Sequence, residues 1–203
     1  MGQRVITSVE GERFIHKELW RVVIRQLEHA KANPSGAFYD DLVAMTFAFH
    51  ALEAYLNYVG EKLAPDIWKN ERSFFSKQPF RGFDGRIRKV FELVGLPEPA
   101  RDARPYSSVW LLKGLRDLMA HGKVERIAGA FEHDDSEESP WVRTQLDSLI
   151  TDANAQIARE DVELVTQSIH VAARPRTDDV WFKAAGPFQG VLQHNEGSSR
   201  IAT

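Results

Sequence analysis

The residues with the clearest chemical potential lie in one short stretch, GLRDLMAHGK, at positions 114–123. Arg116 and His121 are five residues apart, and Asp117 directly follows the arginine. Histidine is the side chain that exchanges a proton near neutral pH, and arginine stabilises negative charge on phosphoryl oxygens. RNA can be cleaved without a metal if a proton moves at the 2′-hydroxyl or the leaving oxygen while a cation stabilises the phosphoryl group. The stretch therefore has the residue types that this chemistry needs.

The same residues also have a purely structural interpretation. His121 precedes Gly122, and a histidine in the last turn of a helix interacts favourably with the helix dipole and with the unpaired carbonyls. Arg116 could form a salt bridge with Asp117 or Glu53. On an ideal helix, five residues correspond to a rotation of about 140°, so Arg116 and His121 do not share a face. A catalytic site would need an unwound last turn, a long reach by the arginine or a second subunit.

Hydrophobic periodicity predicts the helices that must position this stretch. Apolar residues at three- and four-residue steps predict helices in 10–32, 86–97, 106–122 and 158–173. The segment 36–63 is apolar around most of its circumference, which is typical of a helix in the middle of a bundle. A serine at the start of 106–122 is a candidate N-cap.

Together these segments predict an all-α fold, an up-and-down bundle of four to five helices followed by an irregular C-terminal tail. Residues 1–174 would form the helical domain, and 175–203 a C-terminal extension that is partly disordered. Six residues are expected in the core: Phe47, Leu52, Leu56, Val109, Leu112 and Met119.

Composition limits the class of protein. A chain of 203 residues with 43% hydrophobic and 27% charged residues is typical of a soluble globular protein. The absence of cysteine excludes disulfides, thiolate metal sites and cysteine nucleophiles, and it fits a reducing compartment. No stretch approaches the roughly 18 apolar residues of a membrane span. We therefore expect a cytoplasmic protein that does not associate with membranes.

Known catalytic motifs are missing from the sequence. The seven histidines are dispersed, and no H-E-x-x-H pattern is present. There is also no G-x-S-x-G stretch, no phosphate-binding glycine loop and no dinucleotide fingerprint. We expect neither a metal nor another cofactor.

Basic residues are concentrated between Lys69 and Phe91, where seven lysines and arginines stand against two acids. Such a patch attracts a polyanion even in a chain of net charge −3. Four of these residues are candidates for contacts with RNA: Arg81, Arg86, Arg88 and Lys89. Four phenylalanines in the same region could stack on unpaired bases or fill a core: Phe74, Phe75, Phe80 and Phe83.

An arginine and a histidine near the end of a late helix, followed by glycine, in an all-α chain of this length, resemble the HEPN superfamily. The stretch FHALEAYLNYVGEKL, residues 49–63, is similar to the second-helix pattern of several HEPN groups. In those groups an acidic residue and an asparagine face the motif helix, and Glu53 and Asn57 match them here. The resemblance covers roughly residues 8–173 in helix order, and its specific part is the short motif.

The resemblance implies a bundle that dimerises around its motif helices and, in many members, a metal-independent ribonuclease at the dimer interface. Arg116 and His121 match the catalytic pair, and Asp117 matches the polar position after the arginine. Lys123 stands where some nuclease groups have a tyrosine. The expected function is cleavage of single-stranded RNA in stress response or defence, by a homodimer that could have a cognate antitoxin, as in toxin–antitoxin systems.

Two other functions are compatible with the same sequence. A catalytically silent HEPN-like module would bind nucleic acid or a nucleotide through a basic cleft. A helical interaction protein would recruit a partner through an exposed apolar patch instead.

Overall fold

The computed structural model describes residues 5–122, 124–129, 142–189 and 192–200, and this part of the chain is mostly helical. Its elements are β1 (Val5–Arg13), α1 (Ile15–Ala32), α2 (Ala37–Leu63), α3 (Pro65–Lys69), α4 (Glu71–Phe74), α5 (Gly82–Val94), α6 (Tyr106–His121), α7 (Gln145–Leu149), α8 (Asp152–Ala173), α9 (Val180–Ala184) and β2 (Leu192–Arg200). The five longest helices, α1, α2, α5, α6 and α8, overlap the five predicted segments. The predicted helical class is confirmed, while the HEPN-like bundle and its helix count stay predictions.

The structure differs from the sequence prediction at several elements. Helix α5 begins four residues earlier than predicted and ends at Val94, and α8 begins at Asp152 instead of residue 158. Residues 10–13, which the periodicity assigned to the first helix, belong to β1 instead. This strand pairs antiparallel with β2, with Val5 opposite Arg200 and Arg13 opposite Leu192. The second strand thus lies within the segment 175–203, and the proposed boundary near residue 174 stays a prediction. The short helices α3, α4, α7 and α9 carry too few residues to show a helical period.

Tertiary contacts divide the chain into two compact units. The first unit is drawn from the segments Met1–Trp20, Ala51–Glu98 and Thr166–Thr203, and the second from Arg21–His50 and Pro99–Val165. Helices α1, α2 and α8 each contribute residues to both units. None of the helices in the described part of the chain has the length and apolarity that crossing a bilayer requires.

In the first unit, α3 packs directly against α2 at Gly60, because glycine has no side chain. A Cβ atom at Gly60 would lie 2.0 Å from the ring of Trp68 in α3, so the indole packs directly on the helix backbone. Trp68 is buried, and its Nε1 donates a hydrogen bond to Asn57 Oδ1 at 3.2 Å. One turn earlier, Glu53 Oε1 accepts from Arg86 Nη1 at 2.8 Å. This face of α2 therefore holds both α3 and α5.

In the second unit, a buried carboxylate joins the start of α6 to α8. Asp161 of α8 is completely buried. Arg104, two residues before α6, donates from Nε to Oδ2 at 2.9 Å and from Nη2 to Oδ1 at 2.8 Å. Ser108 in the first turn of α6 donates its hydroxyl proton to the same carboxylate. The serine is therefore not the predicted N-cap, since the cap residue is Pro105.

The predicted core is confirmed at four positions, because Leu52, Leu56, Val109 and Leu112 are all buried. Phe47 is only half-buried, and Met119 is 45% exposed, so both were wrongly placed in the core. Met119 continues the apolar stripe of α6, but the residues of that last turn, up to His121, are open to solvent in the described part of the chain. Periodicity identifies the stripe, but it cannot show where the covering elements end.

Replacing Gly60 with alanine is expected to destabilise the protein. The added methyl group would overlap the indole of Trp68, and overpacking of this kind typically costs about 1–3 kcal/mol. Gly114→Ala in α6 is the matched control, since a Cβ there meets nothing within 4 Å. Alanine is the better helix former by about 0.8–1.0 kcal/mol, so the control should be stabilised. Urea unfolding monitored by circular dichroism would measure the free energy of unfolding of both variants. Equal changes in that free energy would contradict the packing of Trp68 on Gly60.

Asp161→Asn is expected to lower the melting temperature by about 5 °C, because it removes the charge from a buried group that accepts hydrogen bonds from both Arg104 and Ser108. Glu160→Gln is the matched control. Glu160 contacts the same Arg104 at 3.3 Å, but it is largely exposed. An exposed ion pair contributes little to stability, so the control should melt within about 1 °C of the original protein. Similar melting temperatures for both variants would show that Asp161 does not anchor α6.

Candidate functional site

The predicted motif lies at the C-terminal end of α6, and the helix stays wound through His121. Gly122 then adopts a left-handed conformation with φ 49° and ψ 38°, and its amide donates to the carbonyl of Leu118 at 3.1 Å. Glycine is the residue best suited to this helix ending. An unwound last turn is thereby excluded as the way to bring the motif together. Arg116 and His121 remain about 140° apart around the helix.

Arg116 is held by two neighbours within the second unit. Its Nη1 lies 3.1 Å from Asp117 Oδ1, and its guanidinium carbon lies 5.1 Å from the centre of the Phe49 ring. The side chain is 34% exposed, whereas Nε is buried and has no hydrogen-bond partner in the described part of the chain. Asp117 also accepts from Lys113 Nζ at 3.3 Å. The arginine is thus fixed in place but still accessible to a ligand.

His121 is exposed at the end of the same helix, and its surroundings are partly apolar. Met119 is exposed two residues before it, and Val124, which is 91% exposed, follows three residues after it. Ile127 continues this exposed apolar run. Lys123, the position at which some HEPN groups have a tyrosine, lies outside the described residues.

The two predicted supporting residues contact residues of the first unit. Glu53 forms the ion pair with Arg86, and Asn57 accepts the hydrogen bond from Trp68. These contacts give both side chains a structural role in holding α3 and α5. A role in supporting Arg116 and His121, which belong to the second unit, stays a prediction.

Three of the four predicted RNA-binding residues are ion-paired. Their partners are acids of the first unit: Arg86 pairs with Glu53 and Glu71, Arg88 with Glu98, and Lys89 with Glu92. Arg81, the fourth, is exposed and forms no ion pair within the described ranges. Three further exposed cations of the same region also lack an ion pair there: Lys69, Arg72 and Lys77. The accessible positive charge thus differs from the set that the sequence suggested.

The first unit also contains a buried group of titratable side chains that sequence reasoning did not single out. Tyr55 and His170 Nδ1 share a hydrogen bond of 2.9 Å, and the ring of His16 lies 5.3 Å from that of Tyr55. Burial, together with the charge of Lys17, lowers the pKa of His16 to about 3. Burial, followed by the charges of Arg174 and Lys17, lowers the pKa of His170 to about 4. Both imidazoles are therefore neutral at physiological pH.

His16 lines an open cleft of about 300 Å³ between α1 and α2, together with Asn57 and Tyr58. Its Nε2 is buried and has no hydrogen-bond partner in the described part of the chain. A neutral imidazole in this position can accept one hydrogen bond, but aromatic neighbours dominate the surroundings. The sequence signal was available, since His16 falls on the buried side of α1 with Trp20 and Val23.

Within the described ranges, no group of three histidines, aspartates or glutamates lies close enough to hold a metal ion. Comparison of the chain with family models, with curated proteins and with solved structures gives no match. The resemblance to the HEPN superfamily therefore depends on the motif and the helix pattern of this chain, and membership stays a prediction.

Proposed function

We propose that the protein is a HEPN-type ribonuclease that cleaves single-stranded RNA without a metal, at the interface of a homodimer. Its biological setting would be stress response or defence, with a cognate antitoxin as a possible partner. The observation that carries the proposal is that Arg116 and His121 are both accessible to solvent near the end of one intact helix. This exposure leaves both side chains open to a substrate.

In the proposed reaction, His121 removes the proton from a 2′-hydroxyl group, and the 2′-oxygen attacks the neighbouring phosphorus. The bond from phosphorus to the 5′-oxygen breaks, which leaves a 2′,3′-cyclic phosphate, and the 5′-oxygen takes up a proton from water as it leaves. Arg116 stabilises the negative charge that develops on the phosphoryl oxygens. Its contact with the ring of Phe49 would orient the guanidinium before the substrate binds.

A second copy of the chain would complete the site. Arg116 and His121 diverge by about 140° on a helix that remains wound, so one copy does not place both on the same side. A two-fold axis beside α6 would bring the arginine of one copy towards the histidine of the other. The exposed Met119 and Val124 flank His121 and provide apolar surface for such an interface.

A catalytically silent module that binds nucleic acid is the second candidate, and one contact favours it. Asp117 lies 3.1 Å from Arg116 and neutralises part of the charge that a phosphate would need. In a silent module this ion pair would persist, and RNA would bind without being cut.

His121→Ala is expected to reduce RNA cleavage by about 10²–10⁴-fold, because it removes the group that transfers the proton. Arg116→Ala should cause a loss of about 10²–10³-fold by leaving the phosphoryl charge uncompensated. The assay would incubate purified protein with a mixed RNA pool in the presence of EDTA. Arg25→Ala and His29→Ala are matched controls, since both side chains are exposed on α1, and they should retain activity.

Cleavage that is abolished by EDTA, or that is undiminished in both motif variants, would contradict the proposed mechanism. Melting curves of the same variants separate catalysis from stability. If the motif is structural, both alanine variants lose stability and there is no cleavage to lose. If RNA binds to the original protein but is not cut, the silent module is the correct function.

Met119→Lys is expected to shift the protein from dimer to monomer, because it places a charge on the apolar surface beside His121. Light scattering after size exclusion would measure the mass. Val171→Lys is the matched control, since Val171 is similarly exposed on α8 and should not affect association. A monomeric original protein at high micromolar concentration would contradict the dimeric site.

A further inference from the structure

The first unit, which does not contain the motif helix, has a surface with the chemistry of a binding site. Within residues 70–80 there is an open cleft of about 430 Å³, which we call the aromatic cleft. Its walls include Phe74, Phe80, Asn70, Lys77 and Gln78. The volume falls within the range of small-molecule sites, about 300–1,000 Å³. We propose that the aromatic cleft binds an unpaired base of single-stranded RNA, with the neighbouring phosphates on the cations around it.

The two aromatic walls are arranged for stacking. The rings of Phe74 and Phe80 stack on each other, with centres 5.4 Å apart and an interplanar angle of 20°, and both are only half-buried. Lys89 Nζ lies 5.2 Å from the centre of the Phe80 ring, so a base would stack on the outer surface of this pair and not between its rings. Their remaining exposed surface is open to a flat ligand. Every base has a π-face, so stacking on such rings supports binding without demanding a particular sequence.

The cleft is held in position by close backbone packing, so it does not need to be formed by the ligand. A Cβ atom at Gly85 would lie 1.8 Å from the carbonyl of Phe80, which shows that this carbonyl rests directly on α5. The amide of Gly82 donates to the carbonyl of Phe75 at 2.8 Å and closes the loop. Phe75 is buried against Trp68, with ring centres 5.2 Å apart. A site that is already ordered loses less entropy when a ligand binds.

Charge determines which class of ligand fits. Lys77 lines the cleft, and Lys69, Arg72 and Arg81 adjoin its lining residues along the chain. All four are exposed and have no ion pair within the described ranges, whereas Arg86, Arg88 and Lys89 are neutralised by acids. Aromatic faces surrounded by unpaired cations are complementary to a single-stranded polyanion that carries bases. The amides of Asn70 and Gln78 can in addition donate to and accept from a base edge.

The choice of RNA over DNA depends on the proposed function, whereas the stacking itself does not. The aromatic cleft would bind the strand whether or not Arg116 and His121 cut it. Binding and cleavage can therefore fail independently, and an assay on a protein without the catalytic histidine separates them.

The test measures fluorescence anisotropy of a labelled 12-nucleotide single-stranded RNA with the full chain carrying His121→Ala. Phe74→Leu and Phe80→Leu keep the apolar bulk and remove the ring, and each is expected to weaken binding by about 10-fold. Tyr39→Leu is the matched control, because Tyr39 is an exposed aromatic residue of the second unit, and it should bind as before. Melting curves would confirm that both phenylalanine variants are folded.

Charge variants test the same site without any risk to the core. Lys77→Gln together with Arg81→Gln should lower the slope of log K against log salt by about 1.4, because each phosphate contact on a single strand contributes about 0.7. Arg21→Gln with Arg25→Gln makes the same charge change on α1 and should leave the slope unchanged. The proposal is overturned if the phenylalanine variants bind as tightly as the Tyr39 control, if duplex RNA binds equally well, or if an acidic peptide competes as effectively as RNA. If the unsubstituted protein cleaves RNA although these variants do not weaken binding, the proposed function is retained and the binding role of the aromatic cleft is rejected.

Discussion

The negative charge of Asp161 is buried, and the second unit depends on how that charge is compensated. An isolated carboxylate inside a protein is strongly unfavourable, so Arg104 and Ser108 must both be held against it. Those contacts fix the start of α6 on α8. Because an α-helix is rigid, they also restrict where its C-terminal end lies. Arg116 and His121 lie on the helix that this carboxylate anchors, about two and about three and a half turns after Ser108.

In the first unit, the comparable constraint is the direct contact between Gly60 and Trp68. The indole can reach the backbone of α2 only because no Cβ intervenes, and it then meets Asn57 and Phe75. Phe75 in turn contacts Phe74 at the end of α4 and accepts the hydrogen bond that closes the following loop, which carries Phe80. A glycine in the last turn of α2 thus helps to place an aromatic surface on the outside of this unit.

The basic residues of the segment 69–91 illustrate why local composition is a weak guide to binding. The sequence identifies a basic region in 69–91, but Arg86, Arg88 and Lys89 are neutralised by acids as distant in sequence as Glu53. The cations that remain accessible are Lys69, Arg72, Lys77 and Arg81, and the last of these was among the predicted contacts. A second copy of the chain, an RNA strand or a partner protein would meet this remaining charge.

The sequence by itself determined the helical class, the approximate positions of the five long helices and four of the six core residues that it predicted, because these depend on periodicity and on the burial of apolar side chains such as Leu52 and Val109. It also located the end of α6, since Gly122 favours a left-handed cap. Only the tertiary structure decided that Met119 is exposed, that Ser108 binds Asp161 and that Glu53 and Asn57 hold α5 and α3. Each of these depends on which distant residue lies opposite, and a local pattern contains no information about that partner.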